Sequence, residues 1–235
     1  MKTLRQMEQL LGELENSRDG RASFLGCYCL MTENMLSAVE QGEFRDNSWM
    51  RNFIDHFAAY YLRGFEKYEK DKERAPKVWV LAHDHAARDS CATIQKLLLG
   101  VNAHINFDLA LTVVDLLGPE WAELDEAQRS IRFADYCHVN EIIGETIDKV
   151  QDQILETDSR GMELLDTYLG RLDEWLISRL IRAWRSEVWE QAGAMLVATE
   201  EAQRAGQISA LEEKTLQRGE AILLKNGVRS LNDLF

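Results

Sequence analysis

Proline is almost missing from this chain: Pro76 and Pro119 are the only two in 235 residues. β-Branched alternation is nearly absent too, so little competes with helix along the sequence. The expected fold is all-α. Cysteine is also scarce. Cys27, Cys29, Cys91 and Cys137 make no CxxC pair. The CYC spacing of the first two sends their side chains to different sides of a helix, which favours packed, reduced thiols over a thiolate metal site. The longest apolar runs, such as residues 97–99 and 109–114, fall far short of the roughly 20 needed to cross a bilayer, so no membrane span is expected. Basic residues are in deficit, 27 against 40 acidic ones, for a net charge of -13. Such a chain repels phosphate backbones and anionic lipid, which argues against nucleic acid and membrane surfaces as partners. The opening stretch MKTLRQMEQLLGELENSRDG mixes charge with leucines at helical spacing, unlike a secretory apolar segment, and the expectation is a cytoplasmic protein. No GxSxG elbow, P-loop, GxGxxG turn or HExxH motif occurs, so the commonest reaction classes lose their usual signature.

Apolar residues are plentiful, at 46% of the chain. That is ample for one sizeable core, and residues 1–235 read as a single helical domain. Helices are expected over residues 2–15 and 21–40, the second ending at Gly42. A third starts at an Asp46 cap and carries Trp49, Met50, Phe53, Phe57, Tyr60, Tyr61 and Phe65 at three- and four-residue spacing, the mark of a broad buried face. Pro76 suits the first turn of the next helix. Helix then continues, with a break near residues 83–90, to Leu117, where Gly118 and Pro119 stop it. Another is expected over residues 128–156. Residues 159–203 are helix-periodic throughout, and as one straight helix would run about 67 Å. A compact chain of this length is only about 45 Å across, so a break is expected, at Gly170. A last helix over residues 209–225 would stop at Asn226 and Gly227, and the helices of residues 159–235 would pack on the core.

The segment LLLGVNAHINFDLAL, residues 97–111, sets Asn102, His104, Asn106 and Asp108 inside an otherwise apolar stretch. Unpartnered polar groups are costly to bury, so four of them imply either a hydrogen-bonded network or a site. On a helix His104 and Asp108 share one face, while Asn102 and Asn106 share nearly the opposite one. Chemistry is expected on the first face and helix-to-helix anchoring on the second. The segment FADYCHVNEIIGETIDKV offers partners, with Asp135 and His138 one turn apart and Asn140 pointing elsewhere. His104, Asp108, Asp135 and His138 together would make a nitrogen and oxygen ligand set for one divalent metal, zinc, iron or manganese. The same groups could serve as general acid and base, or simply hold a core histidine in one tautomer. His83 and His85 flank Asp84, but positions two apart on a helix diverge, and both are expected to be exposed near a break. His56 reads as a surface or packing histidine. Arg179, Arg182 and Arg185 crowd Trp175, Trp184 and Trp189, where core packing is expected; Arg182 or Arg185 could also neutralise Asp108 or Asp135.

These residues resemble an uncharacterised, mostly bacterial, all-helical domain family of unknown function. Its hallmark, LLGxNAHINxDL, is matched by residues 98–109, with Val101 and Phe107 at the variable positions. RASFLGCYCLMTENM, GEFRDNSWM, FAAYYLRGFEKY, APKVW, the 135–140 stretch and AWRSEVW also resemble family segments, so the likeness covers residues 21–192. It implies site candidates Asn102, His104, Asn106, Asp108, Asp135 and Asn140, and leaves out His83, His85 and His138. More remotely, His104 and Asp108 are similar to the His-x3-Asp motif of helical zinc phospholipases C and nucleases, whose three-metal centre needs more than this chain's five histidines can supply. The expected function is binding or processing of a small molecule. His104, Asp108 and Asp135 would be the catalytic groups, with Asn102, Asn106, Asn140 and Arg185 as ligand contacts. The alternatives are a one-metal hydrolase with His104, Asp108 and Asp135 as ligands, and a non-enzymatic helical interaction module. Oligomeric state is not legible.

Overall fold

A computed structural model of the chain describes residues 1–88, 90–154 and 174–224, with side chains left out of account at 148–154 and 174–176. The architecture is all-α. In chain order the helices are α1 (Lys2–Asn16), α2 (Ala22–Gln41), α3 (Asn47–Lys70), α4 (Lys77–Ala86), α5 (Thr93–Ala103), α6 (Leu109–Leu117), α7 (Glu126–Ile154), α8 (Glu174–Leu196) and α9 (Glu201–Leu224). A 3-10 turn, Lys72–Arg74, precedes α4, and a five-residue π segment, His104–Asp108, joins α5 to α6. Buried apolar residues from Met7 in α1 to Ile222 in α9 form one continuous cluster.

Local chemistry accounts for several helix ends. Gly42 closes α2 in the left-handed conformation at φ 77°, which a side chain would disfavour. The Asp46 carboxylate accepts from the Trp49 amide at 2.9 Å and so opens α3. Pro76 sits just before α4. The helix expected to reach residue 203 ends at Leu196, and the last helix begins at Glu201 rather than near residue 209. Gly170 and the Asn226–Gly227 stop lie outside the described residues.

The central element is the continuous helical run Thr93–Leu117, wrapped by α2, α3, α4, α8 and α9. Taken whole, it is long and apolar enough to cross a membrane, with mean hydropathy 1.5, although its unbroken apolar runs are short. Its most apolar window is 83% buried inside the bundle, as in the core helix of a folded domain.

Candidate functional site

His104 and Asp108 lie on the π segment, both buried at 2% exposure. A π turn carries one more residue than an α turn, so positions four apart fall closer to one line along the axis. His104 Nδ1 and Asp108 Oδ2 meet at 3.0 Å, and the Trp79 indole N–H donates to the same oxygen at 3.0 Å. The imidazole is clasped by aromatic rings. Phe57 stacks on it with centroids 3.7 Å apart and planes 9° from parallel, and Tyr28 meets it edge-on at 4.3 Å. Burial pulls the His104 pKa down, against the opposing pull of Asp108. Burial likewise raises the Asp108 pKa, partly offset by its bonds to His104 and Trp79. Burial thus favours the uncharged form of each group, with one proton lying between Nδ1 and Oδ2. His104 Nε2 stands outside that bond, buried and without a hydrogen-bond partner among the described residues.

The opposite face is a closed relay. Asn106 Nδ2 donates to Asn102 Oδ1 at 2.9 Å, and Asn102 Nδ2 donates to the Thr215 carbonyl of α9 at 2.9 Å. Arg218 donates to Asn106 Oδ1 at 3.0 Å and also pairs with Glu187 of α8. Both asparagine side chains are thus engaged in tying the central helix to α9.

Asp135 is not part of the His104 site. Its two oxygens accept from the backbone amides of Arg45 and Asp46, each at 2.8 Å, and so clamp the turn between α2 and α3. That corrects its assignment as a catalytic group or metal ligand, because its acceptors are already engaged by a turn that needs them. His138 instead pairs with Glu141 at 2.8 Å. Among the described residues no group of three or more His, Cys, Asp or Glu side chains could hold a metal ion. The His104, Asp108 and Asp135 triad for zinc, iron or manganese is therefore not assembled.

Arg185 does not reach Asp108 or Asp135 either. Its Nε donates to Asn140 Oδ1 at 2.7 Å, its Nη2 donates to the Tyr136 carbonyl at 2.7 Å, and its guanidinium lies 4.3 Å over the Tyr136 ring. The Tyr136 hydroxyl returns a bond to the Arg185 carbonyl at 2.7 Å. Asn140 and Arg185 are thus brought together, 45 residues apart in sequence.

Between α2, α3, α5, α7 and α8 runs a cavity of about 130 Å³. Its described wall is almost wholly apolar, and among the described lining residues only Tyr28, His104, Thr146 and Arg185 carry nitrogen or oxygen in the side chain. Thr146 is internally bonded, to the Ile142 carbonyl and Asn34. His104 and Arg185, assigned separately from sequence, line one space. That space was not legible in sequence, since five helices far apart in the chain enclose it.

His83 departs from expectation. It is 4% exposed, stacked on Trp79 at 5.1 Å, and burial holds its pKa at about 3. It continues the aromatic cluster around Trp79 rather than facing solvent. His56 is partly exposed and sits 3.2 Å from Asp115, a surface pair.

A family model described as "Family of unknown function (DUF5995)" matches residues 1–225, wider than the 21–192 over which the resemblance was traced. No curated protein and no solved structure matches the chain.

Proposed function

The chain belongs to the DUF5995 family, whose description assigns no activity, and we propose from its cavity that the protein binds a small, mainly apolar molecule. The observation that carries this reading is the His104 Nε2 atom, buried and unpartnered on a residue that lines an apolar space of about 130 Å³. Buried polar atoms without partners are rare in native proteins, and a ligand group supplies one. The volume is close to the ~150 Å³ of an engineered apolar cavity able to take up benzene. Asp108 and Trp79 fix the imidazole, the aromatic rings exclude water, and Nε2 orients the ligand. A neutral imidazole backed by a carboxylate is also suited to moving a proton at that atom, should the bound molecule react.

The one-metal hydrolase has less support, because among the described residues no third His, Cys, Asp or Glu joins His104 and Asp108. The interaction-module reading calls for close packing beside His104, and the cavity weighs against it.

Titration with toluene and with 1-hexanol, followed by two-dimensional NMR, tests the proposal. Both should shift resonances of Val139, Ile143 and Leu97, and Val139→Phe should abolish the shifts while the helical circular dichroism stays unchanged. His104→Ala should weaken hexanol more than toluene. Absence of any saturable shift up to the solubility limit of both probes sinks the reading.

A further inference from the structure

Arg185 is 2% exposed and buried against an apolar space, yet among the described residues no carboxylate meets it. Its described partners are neutral: the Asn140 amide oxygen, the Tyr136 carbonyl and the Tyr136 ring. A guanidinium stays charged in a protein and carries five N–H donors. Nε uses its one donor on Asn140 and Nη2 uses one of its two on Tyr136, and among the described residues Nη1 and the second Nη2 N–H meet no acceptor. Burying a cation without a counter-charge is expensive, and the bonds to Asn140 and Tyr136 lock the guanidinium in place rather than neutralise it. None of the described residues lining the cavity beside it is acidic.

We propose that Arg185 anchors a carboxylate, and that the cavity takes a small apolar monocarboxylic acid. The acid group sits against the free guanidinium edge, and the apolar body lies among Met31, Ile54, Val139 and Ile143. This rests on the cavity being a ligand site, and adds to it the chemical class of the ligand. A carboxylate suits the position because arginine donates to it in a planar, charge-assisted fork, and because the pairing is strongest where water is excluded. Chain length is bounded by the space, which favours acids of hexanoate or benzoate size over long fatty acids.

The test pairs hexanoate with 1-hexanol, by calorimetry or NMR titration. Wild-type protein should bind hexanoate at least about ten-fold more tightly. Arg185→Met should erase that preference while hexanol still binds. Should Arg185→Met fail to fold, Asn140→Asp places a carboxylate against Nε, and it should weaken hexanoate about ten-fold while sparing hexanol. If both ligands bind wild type equally, or if the preference survives in both variants, the carboxylate anchor is overturned and the apolar cavity stands. If neither ligand binds, both readings fall.

Discussion

The Trp79 indole donates to Asp108 Oδ2 at 3.0 Å, joining α4 to the π segment in the middle of the core. The contact depends on Gly64, where an added Cβ would come within 2.9 Å of the indole. Trp79→Phe removes a buried donor from a carboxylate that cannot turn to water. It should lower stability by about 1–3 kcal/mol, read as a lower urea midpoint. Gly64→Ala should act in the same direction by displacing the ring; an unchanged midpoint in both variants would mean that the indole does not support Asp108.

Stability should fall on acidification, with His83 and His104 as the main contributors. Burial holds His83 at about 3, below its ordinary 6.5, and burial lowers His104 in the same sense. Between the folded and unfolded values the unfolded chain binds more protons, so each histidine's contribution is complete above about pH 6.5 and is lost as pH falls toward the folded value, by at most about 1.4 kcal/mol per pH unit. Asp108, raised by burial, opposes this in part, because the folded chain holds its proton to higher pH. Urea midpoints at about pH 7 and about pH 5 should differ, and His83→Gln should shrink the difference. A flat profile in wild type would show that these imidazoles are not held neutral.

Asp135→Asn leaves one acceptor where the Arg45 and Asp46 amides each have an oxygen. The expected loss is about 1–3 kcal/mol, with faster hydrogen exchange at residues 45 and 46 and no change in the affinity of cavity ligands. A loss of affinity as large as that of His104→Ala would restore Asp135 to the binding site.

Gly100 and Gly206 are both in helices, but a Cβ at Gly100 would come 2.5 Å from the Phe24 ring, whereas one at Gly206 meets nothing within 4 Å. Gly206→Ala should stabilise by about 0.5–1 kcal/mol through backbone entropy. Gly100→Ala should instead destabilise by about 1–3 kcal/mol, because α2 and α5 must move apart. Thermal midpoints of opposite sign check both.

Features set by neighbours in sequence were legible. Gly42 ends a helix and Asp46 begins one, because each acts on amides or carbonyls within its own turn. The split of the NAHIN segment into a His104 side and an asparagine side was legible for the same reason, since i and i+4 geometry is local. Asp135 was misread because the amides it serves lie 89 and 90 residues away. His83 was misread because a place near a helix end suggested exposure, whereas Phe65, Tyr68 and Trp79 enclose it. The start of α9 was placed late because residues 197–200 contain neither glycine nor proline to mark the break. The π segment left no trace, since five residues are too few to display a changed period.

That π segment re-phases the central helix. One extra residue amounts to about 100° of rotation at 3.6 residues per turn. Upstream of it α5 packs on α2, α4 and α9, and downstream α6 packs on α3 and α8. An unbroken α-helix would carry a single apolar stripe across both halves, while the inserted residue acts as a gear between two stripes pointing different ways. His104 and Asp108 sit at the gear, so losing one residue between them would turn the two halves of the bundle against each other.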